Sequence, residues 1–328
     1  MLSEETKKRC ELLIENRNRV KDVFPWDGGL IHLACAGIFT SKDKTADETT
    51  LASCKQLLKQ KVGPFSIFRS TARTAIVSML AVSEHPKRTL DEGLLVYDLL
   101  KKRFWSSTHL ALAAMIIAQM VEVSDYERIA DRTKGIYQRM KSDHPFLTGS
   151  GDSAYCALMA LSEKSDGELI EDAERCYRIL KGDFFSADAV QSLSHVLALA
   201  EGSIEEKTQR TIDLFTKLKS AGYKYGTSYE LPTLGVLAME KGNLAEVVNE
   251  MIEIDTWLSK QKGFGFFTGI SKKQRLMYAG MLAMKGQVDG DTLQTSAITS
   301  TVSLIIAQEA AMMAAVAASS ATAANASN

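Results

Sequence analysis

His144, Thr148, Ser150 and Asp152 fall within one short stretch, HPFLTGSGD, and are residue types from which a polar site is built. An imidazole moves protons near neutral pH, and hydroxyls at a helix start can help to hold an anion. A plainer reading of the stretch is that Pro145 sets a turn, Thr148 or Ser150 caps the following helix, and Asp152 favours its positive end. A second set is Arg73, Asp152, Glu230 and Arg275, each eight residues before an alanine that recurs along the chain. In a stacked repeat such positions line up along one edge and predict a charged, exposed rim. If the chain curls into a ring, Asp152 and Glu230 could face one another as acid and base, the arrangement used for glycoside cleavage. His144, Asp152 and Glu230 are therefore the catalytic candidates, and Trp105, Ser150, Arg73 and Arg275 the binding candidates. Trp105, Phe185, Tyr225, Phe266 and Phe267 also offer aromatic anchors for an extended peptide or helix. His109 and His195 lie on the same class of helix. His195, amid Leu193, Val196 and Leu197, reads as a hydrogen-bonded flank of the core.

The usual catalytic signatures are missing: no GxxxxGK loop, no HExxH, no GxSxG and no dinucleotide fingerprint behind a strand. No cofactor or metal is implied. Cys10, Cys35, Cys54, Cys156 and Cys176 form no CxxC pair and lie on or beside apolar stripes, where a thiol acts as a small hydrophobe. That usage fits a reducing cytoplasm. The net charge is -1 and both signs are interspersed, so no nucleic-acid footprint stands out. The start, with Glu4, Glu5, Lys7, Lys8 and Arg9, carries no secretory signal pattern.

What must position these residues is a repeat. Leu58, Leu100, Met140, Leu180, Leu218 and Leu258 close amphipathic stretches about 40 residues apart, a period typical of stacked helical pairs. Lysine follows in the first five: Lys59, Lys101, Lys141, Lys181 and Lys219. An aromatic comes shortly after: Phe65, Phe104, Phe146, Phe184, Tyr223 and Phe264. A second helix then carries two apolar residues and an alanine, ending at Ala81, Ala118, Ala160, Ala198, Ala238 and Ala283, and small residues at one register let helices approach closely. Residues 4–39 read as a degenerate first copy, with Phe24 in the aromatic position. Gly202, Gly242 and Gly286 read as left-handed caps, and Pro86 as a stop of another kind.

Beyond Gly290 the pattern breaks. Residues 291–318 read as one long Ala- and Met-rich helix, interrupted by Gln308 and Glu309 and therefore not a membrane span, followed by a flexible tail over 319–328. Its apolar face could rest on the last repeat, in the groove of the array, or on a second copy in a homo-oligomer.

The unit KSDHPFLTGSGDSAYCALMAL, the LLKK-type helix ends and the carboxy-terminal helix together resemble a bacterial family catalogued as a domain of unknown function, DUF4003. The resemblance covers nearly the whole chain and implies a bacterial cytoplasmic protein; it carries over no catalytic residue. The expectation is thus an all-α array of about seven antiparallel hairpins. It would be an α/α solenoid, or one curled toward a toroid, over residues 1–290. Its role would be noncatalytic binding or scaffolding of a protein or peptide on the concave surface. The alternative is an α/α-ring enzyme or binder for a small polar or carbohydrate-like ligand, using helix-start carboxylates.

Overall fold

The computed structural model describes residues 2–145, 147–240, 242–264 and 270–284, and the predicted helix and tail beyond residue 284 lie outside them, as do Phe146, Phe266, Phe267 and Gly286. The described residues form fourteen α-helices and no strand. In chain order these are α1 (Glu4–Val23), α2 (Gly29–Thr40), α3 (Glu48–Lys61), α4 (Arg73–Val82), α5 (Pro86–Lys101), α6 (Thr108–Met120) and α7 (Tyr126–Asp143). Then follow α8 (Asp152–Leu161), α9 (Asp166–Leu180), α10 (Ala187–Leu199), α11 (Ile204–Ser220), α12 (Leu231–Ala238), α13 (Leu244–Ser259) and α14 (Lys272–Ala283). Each odd helix packs on the even helix that follows it, odd helices touch the next odd helix, and even helices touch the next even one. At the end of the chain α13 and α14 both return to α1.

The two classes of helix differ because their surroundings do. Helix α9 starts at a capping box made by Ser165 and Glu168 and buries only Leu169, Ala173, Cys176 and Leu180, one stripe of an amphipathic cylinder. Helix α6 instead buries every residue from His109 to Ala118, and α8 every residue from Asp152 to Leu161, as interior elements must. The apolar residues that close the odd helices are all buried, from Leu58 to Leu258. Of the recurring alanines, Ala118, Ala160, Ala198, Ala238 and Ala283 are buried, and Ala81 is half-buried.

The turns within the pairs are held by a repeated ring contact. Except at Asp255, which pairs with Arg275 of its own pair, the residue three before the closing apolar residue receives a turn aromatic of the neighbouring pair. Phe68 meets Tyr97 edge-on at 5.0 Å, Phe104 meets Tyr137 at 5.2 Å, and Phe184 meets Phe215 at 5.1 Å. His144 takes the aromatic's place against Tyr177 at 4.8 Å. At the first station a cation substitutes, Lys55 lying 4.5 Å from the Phe24 ring. Arg17 of α1 does the same for Phe264, at 5.2 Å, joining the last turn to the first helix.

At the opposite ends, cations hold the free carbonyls that finish the even helices. Arg132 donates to Ala160 O and Ser162 O, Arg210 to Ala238 O and Glu240 O, and Arg9 to Met284 O.

Several expectations need correction. Phe65 does not fill the aromatic position: it is fully exposed, and Phe68 is buried instead, because a 3-10 turn over Ile67–Arg69 lengthens this loop. Pro86 does not act as a stop for α4, which ends at Val82, but opens α5, where its missing N–H costs nothing. Neither Thr148 nor Ser150 caps α8. Thr148 Oγ1 donates to Met140 O, Ser150 O accepts from Ser153, and Asp152 reaches back to accept from Gly149 N at 2.7 Å. Gly202 and Gly242 do adopt positive φ, 99° and 112°.

Candidate functional site

The charged set predicted as an exposed rim is largely buried, because each member turns into its own packing environment. Asp152 is 9% exposed and Glu230 4%. Arg275 pairs through two bonds with the buried Asp255, at 2.8 and 3.0 Å. Arg73 donates to Asp27 at 3.0 Å. Both arginines therefore serve the frame. Glu230 accepts weakly from Ser228 N, at 3.4 Å, and is packed over Gly226, where a Cβ would fall 2.1 Å from its carboxyl carbon. The carboxylate whose charge bears on Asp152 is Asp188, not Glu230.

Asp152 lies instead beside His195, Oδ1 to Nδ1 at 3.9 Å, beyond hydrogen-bond reach. Burial, assisted by Asp188, pushes the Asp152 carboxyl up to about 6. Burial, with His144 adding to it, pushes the His195 imidazole down to about 3. His195 is core, as its apolar neighbours imply, but Nδ1 has no hydrogen-bond partner among the described residues. The same holds for Gln191 Oε1, one turn earlier on α10, whose amide nitrogen donates to Thr148 Oγ1 at 3.1 Å. His144 is engaged elsewhere, its Nε2 2.6 Å from Glu174 Oε1. His109 is buried, and its Nε2 also lacks a partner among the described residues.

Two binding candidates do come together. A pocket of about 470 Å3 opens between the α5–α6 turn and the start of α8, lined by both Trp105 and Ser150. Lys101, Lys102, Lys134, Ser107 and Ser153 complete its polar wall. Arg103 also reaches it but is already bound by Asp131 and Glu127. The Lys134 ammonium lies over the Phe104 and Tyr137 rings, 4.7 and 5.4 Å from their centres, and these two rings, which also line the pocket, hold its charge at the wall. Asp152 sits behind this wall: burial pushes the Tyr137 hydroxyl up, and the Asp152 charge adds to the effect. Of the proposed anchors, Trp105 and Phe185 are fully exposed, whereas Tyr225 is 2% exposed and belongs to the core.

Over residues 16–311 the sequence matches the family described as "Protein of unknown function (DUF4003)". The chain belongs to that family. It is also 24% identical over 328 residues to the uncharacterized protein YeaA of Bacillus subtilis (strain 168), covering 98% of this chain and 96% of that one. No solved structure matches. Among the described residues of this DUF4003 chain, no group of three or more His, Cys, Asp or Glu side chains could hold a metal ion. Nor, among them, is any helix long and apolar enough to cross a membrane.

Sequence reasoning missed Lys134, Tyr137 and Gln191. The first two lie on the half-exposed flank of an amphipathic helix and gain meaning only from the turn that packs against them. Gln191 follows Val190 on α10 and is one residue past the register of Asp152, which left it outside the set aligned on the recurring alanines.

Proposed function

We propose that the helix pairs form a closed ring of seven hairpins, and that the chain is a noncatalytic binder of a small polar ligand bearing an anionic group. The observation that carries this reading is the pocket itself. Lys101, Lys102 and Lys134 have no carboxylate partner within 4.0 Å among the described residues, and they converge with Ser107, Ser150 and Ser153 beneath an exposed indole. Ammonium groups and hydroxyls are the donors for phosphate or carboxylate oxygens, and the indole offers a flat wall for the rest of the ligand. Its volume lies in the usual range for small-molecule sites. Closure supports a local pocket over a long peptide groove, because α1 is covered by α13 and α14. Asp152 and His195, beneath the wall and apart from Glu230, suit a structural role better than a paired acid and base.

The test is thermal unfolding of the full chain with inorganic phosphate, sugar phosphates, nucleotides and neutral sugars. A ligand that binds only the folded form at a hundredfold excess over its Kd adds about 2.7 kcal/mol. Phosphorylated compounds should raise Tm, and the Lys101→Glu/Lys102→Glu variant should lose that shift. A shift from neutral sugars alone, or none from the anions, would overturn the reading. Small-angle scattering tests closure separately, since an open solenoid has a longer maximum dimension than a ring of the same chain.

A further inference from the structure

The structure also carries a surface whose two features have separate origins and coincide. The first is charge. Apart from α5, the odd helices begin acidic, with Glu4 and Glu5 on α1, Asp166 and Glu168 on α9, and Glu205 and Glu206 on α11. Apart from α13, they end basic, with Lys59 and Lys61 on α3, Lys101 on α5, Lys141 on α7, and Lys217 and Lys219 on α11. Each choice suits its own helix dipole. The ring contacts, however, join the turn of one pair to the basic end of the next odd helix, from Phe68 on Tyr97 to Phe184 on Phe215. The odd helices therefore run the same way, the local preferences add, and a chain of net charge -1 becomes basic at its turn end and acidic at the other.

The second feature is aromatic. Trp26, Phe65, Trp105 and Phe185 are 93%, 101%, 95% and 104% exposed, and each lies in a turn within a pair. They are the only exposed aromatics among the described large hydrophobic side chains, and the acidic end has none. They contribute nothing to the core. The buried Phe24, Phe68 and Phe184 and the half-buried Phe104 already perform the packing role in the same turns. Each ring stands by itself, so the four present separate apolar points along the basic end.

We propose that the turn end docks on the surface of an anionic phospholipid bilayer. Trp and Phe rings settle at the headgroup boundary, and lysines on the same face meet the anionic headgroups, so the two features match one occupant by shape and by charge. An acidic protein would satisfy the lysines, but isolated, fully exposed rings spread over four separate turns do not make the packed apolar centre of a protein interface. Docking of this kind needs no spanning helix. It rests on the shared direction of the odd helices and requires neither the pocket nor closure of the ring.

The experiment is co-sedimentation of the full chain with vesicles of phosphatidylcholine alone and of phosphatidylcholine mixed with phosphatidylglycerol, at low and high salt. Binding is expected on the anionic vesicles only, falling steeply with salt, with a blue shift of the Trp26 and Trp105 fluorescence. Trp26→Ser/Trp105→Ser should weaken binding about tenfold or more, and Lys101→Glu/Lys102→Glu about fivefold per lysine. Val123→Ser, an exposed apolar residue at the other end, should leave it unchanged. No binding to anionic vesicles at low salt by a folded chain overturns the proposal, as does equal binding to neutral vesicles. A Tm rise with glycerol phosphate but no vesicle binding would retain the pocket and overturn the docking.

Discussion

The guanidinium of Arg17 stands 5.2 Å from the centre of the Phe264 ring, although the two belong to the first and last helix pairs of the described chain. It is supported by Thr6 donating to Glu250 at 2.8 Å and by Tyr278 reaching Leu30 O. Phe264 is 1% exposed, and Gly263 before it holds φ at +96°, with Arg17 Nη1 2.7 Å from where a Cβ would lie. Phe264→Ala should cost about 3–5 kcal/mol and Arg17→Ala about 0.5–2 kcal/mol. The double mutant should show coupling of about 0.5–2 kcal/mol in urea unfolding. Zero coupling would mean that the contact does not form in solution.

Asp152 and His195 give a pH dependence whose two halves oppose. The Asp152 carboxyl rises from its ordinary 3.8 to about 6, so the folded chain holds that proton more tightly than the unfolded one. Its contribution is fully present below 3.8 and is lost as pH rises through 6. His195 falls from 6.5 to about 3, so its contribution is present above 6.5 and is lost as pH falls toward 3. Asp152→Asn should therefore stabilise the chain by about 3 kcal/mol at pH 7 and change little at pH 3. His195→Gln should flatten the loss on the acid side. Urea midpoints across pH 3–8 measure both, and a destabilised Asp152→Asn chain at pH 7 would contradict the burial argument.

Arg132 is the most heavily used of the cations that finish the even helices. It contacts Ala160 O, Ser162 O, Lys164 O and Asp166, with its side chain 18% exposed. Replacing it with Met keeps the stem but leaves those carbonyls without a donor. Arg132→Met should cost about 2–4 kcal/mol. Arg132→Lys should recover less than half, because one ammonium cannot span the same oxygens. Thermal unfolding of the two variants separates loss of charge from loss of the planar fork.

The parts of this fold legible in the sequence are those set by neighbours within a few residues. The closing leucines, the small residues and the helix ends recur because every pair solves the same local packing problem. Contacts between pairs are less legible. The station opposite the turn aromatic is Tyr97, Tyr137, Tyr177 or Phe215, but it is Lys55 or Arg17 at two sites, so no single residue class marks it. Asp255 stands at the equivalent place before Leu258, and there the partner is Arg275 of its own pair. Phe65 was misread for a related reason: in a longer turn, spacing alone does not say which of two phenylalanines faces inward. For the site, Trp105 and Ser150 were read as separate binding candidates, and that they line the same pocket depends on the α5–α6 turn meeting α8. The burial of His195 follows from its leucines, but its unpartnered Nδ1 depends on what faces it from α8.

The five cysteines supply a test of how tightly the pairs are packed. All are buried and free. Burial pushes the thiols of Cys10 and Cys35 up to about 12 and those of Cys54 and Cys176 to about 11, and it raises Cys156 well above the ordinary range. The nucleophile is the thiolate, so at pH 8 each native thiol is both shielded and almost wholly protonated. Cys10 lies on α1 and Cys35 on α2, in the pair that forms the seam with the last one, whereas Cys54 lies on α3 of the second pair and Cys156 and Cys176 on the far pairs. Native chain should react with an aromatic disulfide reagent over hours, and urea-unfolded chain should react at all five positions within minutes. Loosening the seam with Phe264→Ala should accelerate Cys10 before Cys156, followed by mass spectrometry of the labelled peptides. Equal acceleration at both would mean that the chain opens as one unit and that the Arg17–Phe264 seam is no weaker than the contacts between the other pairs.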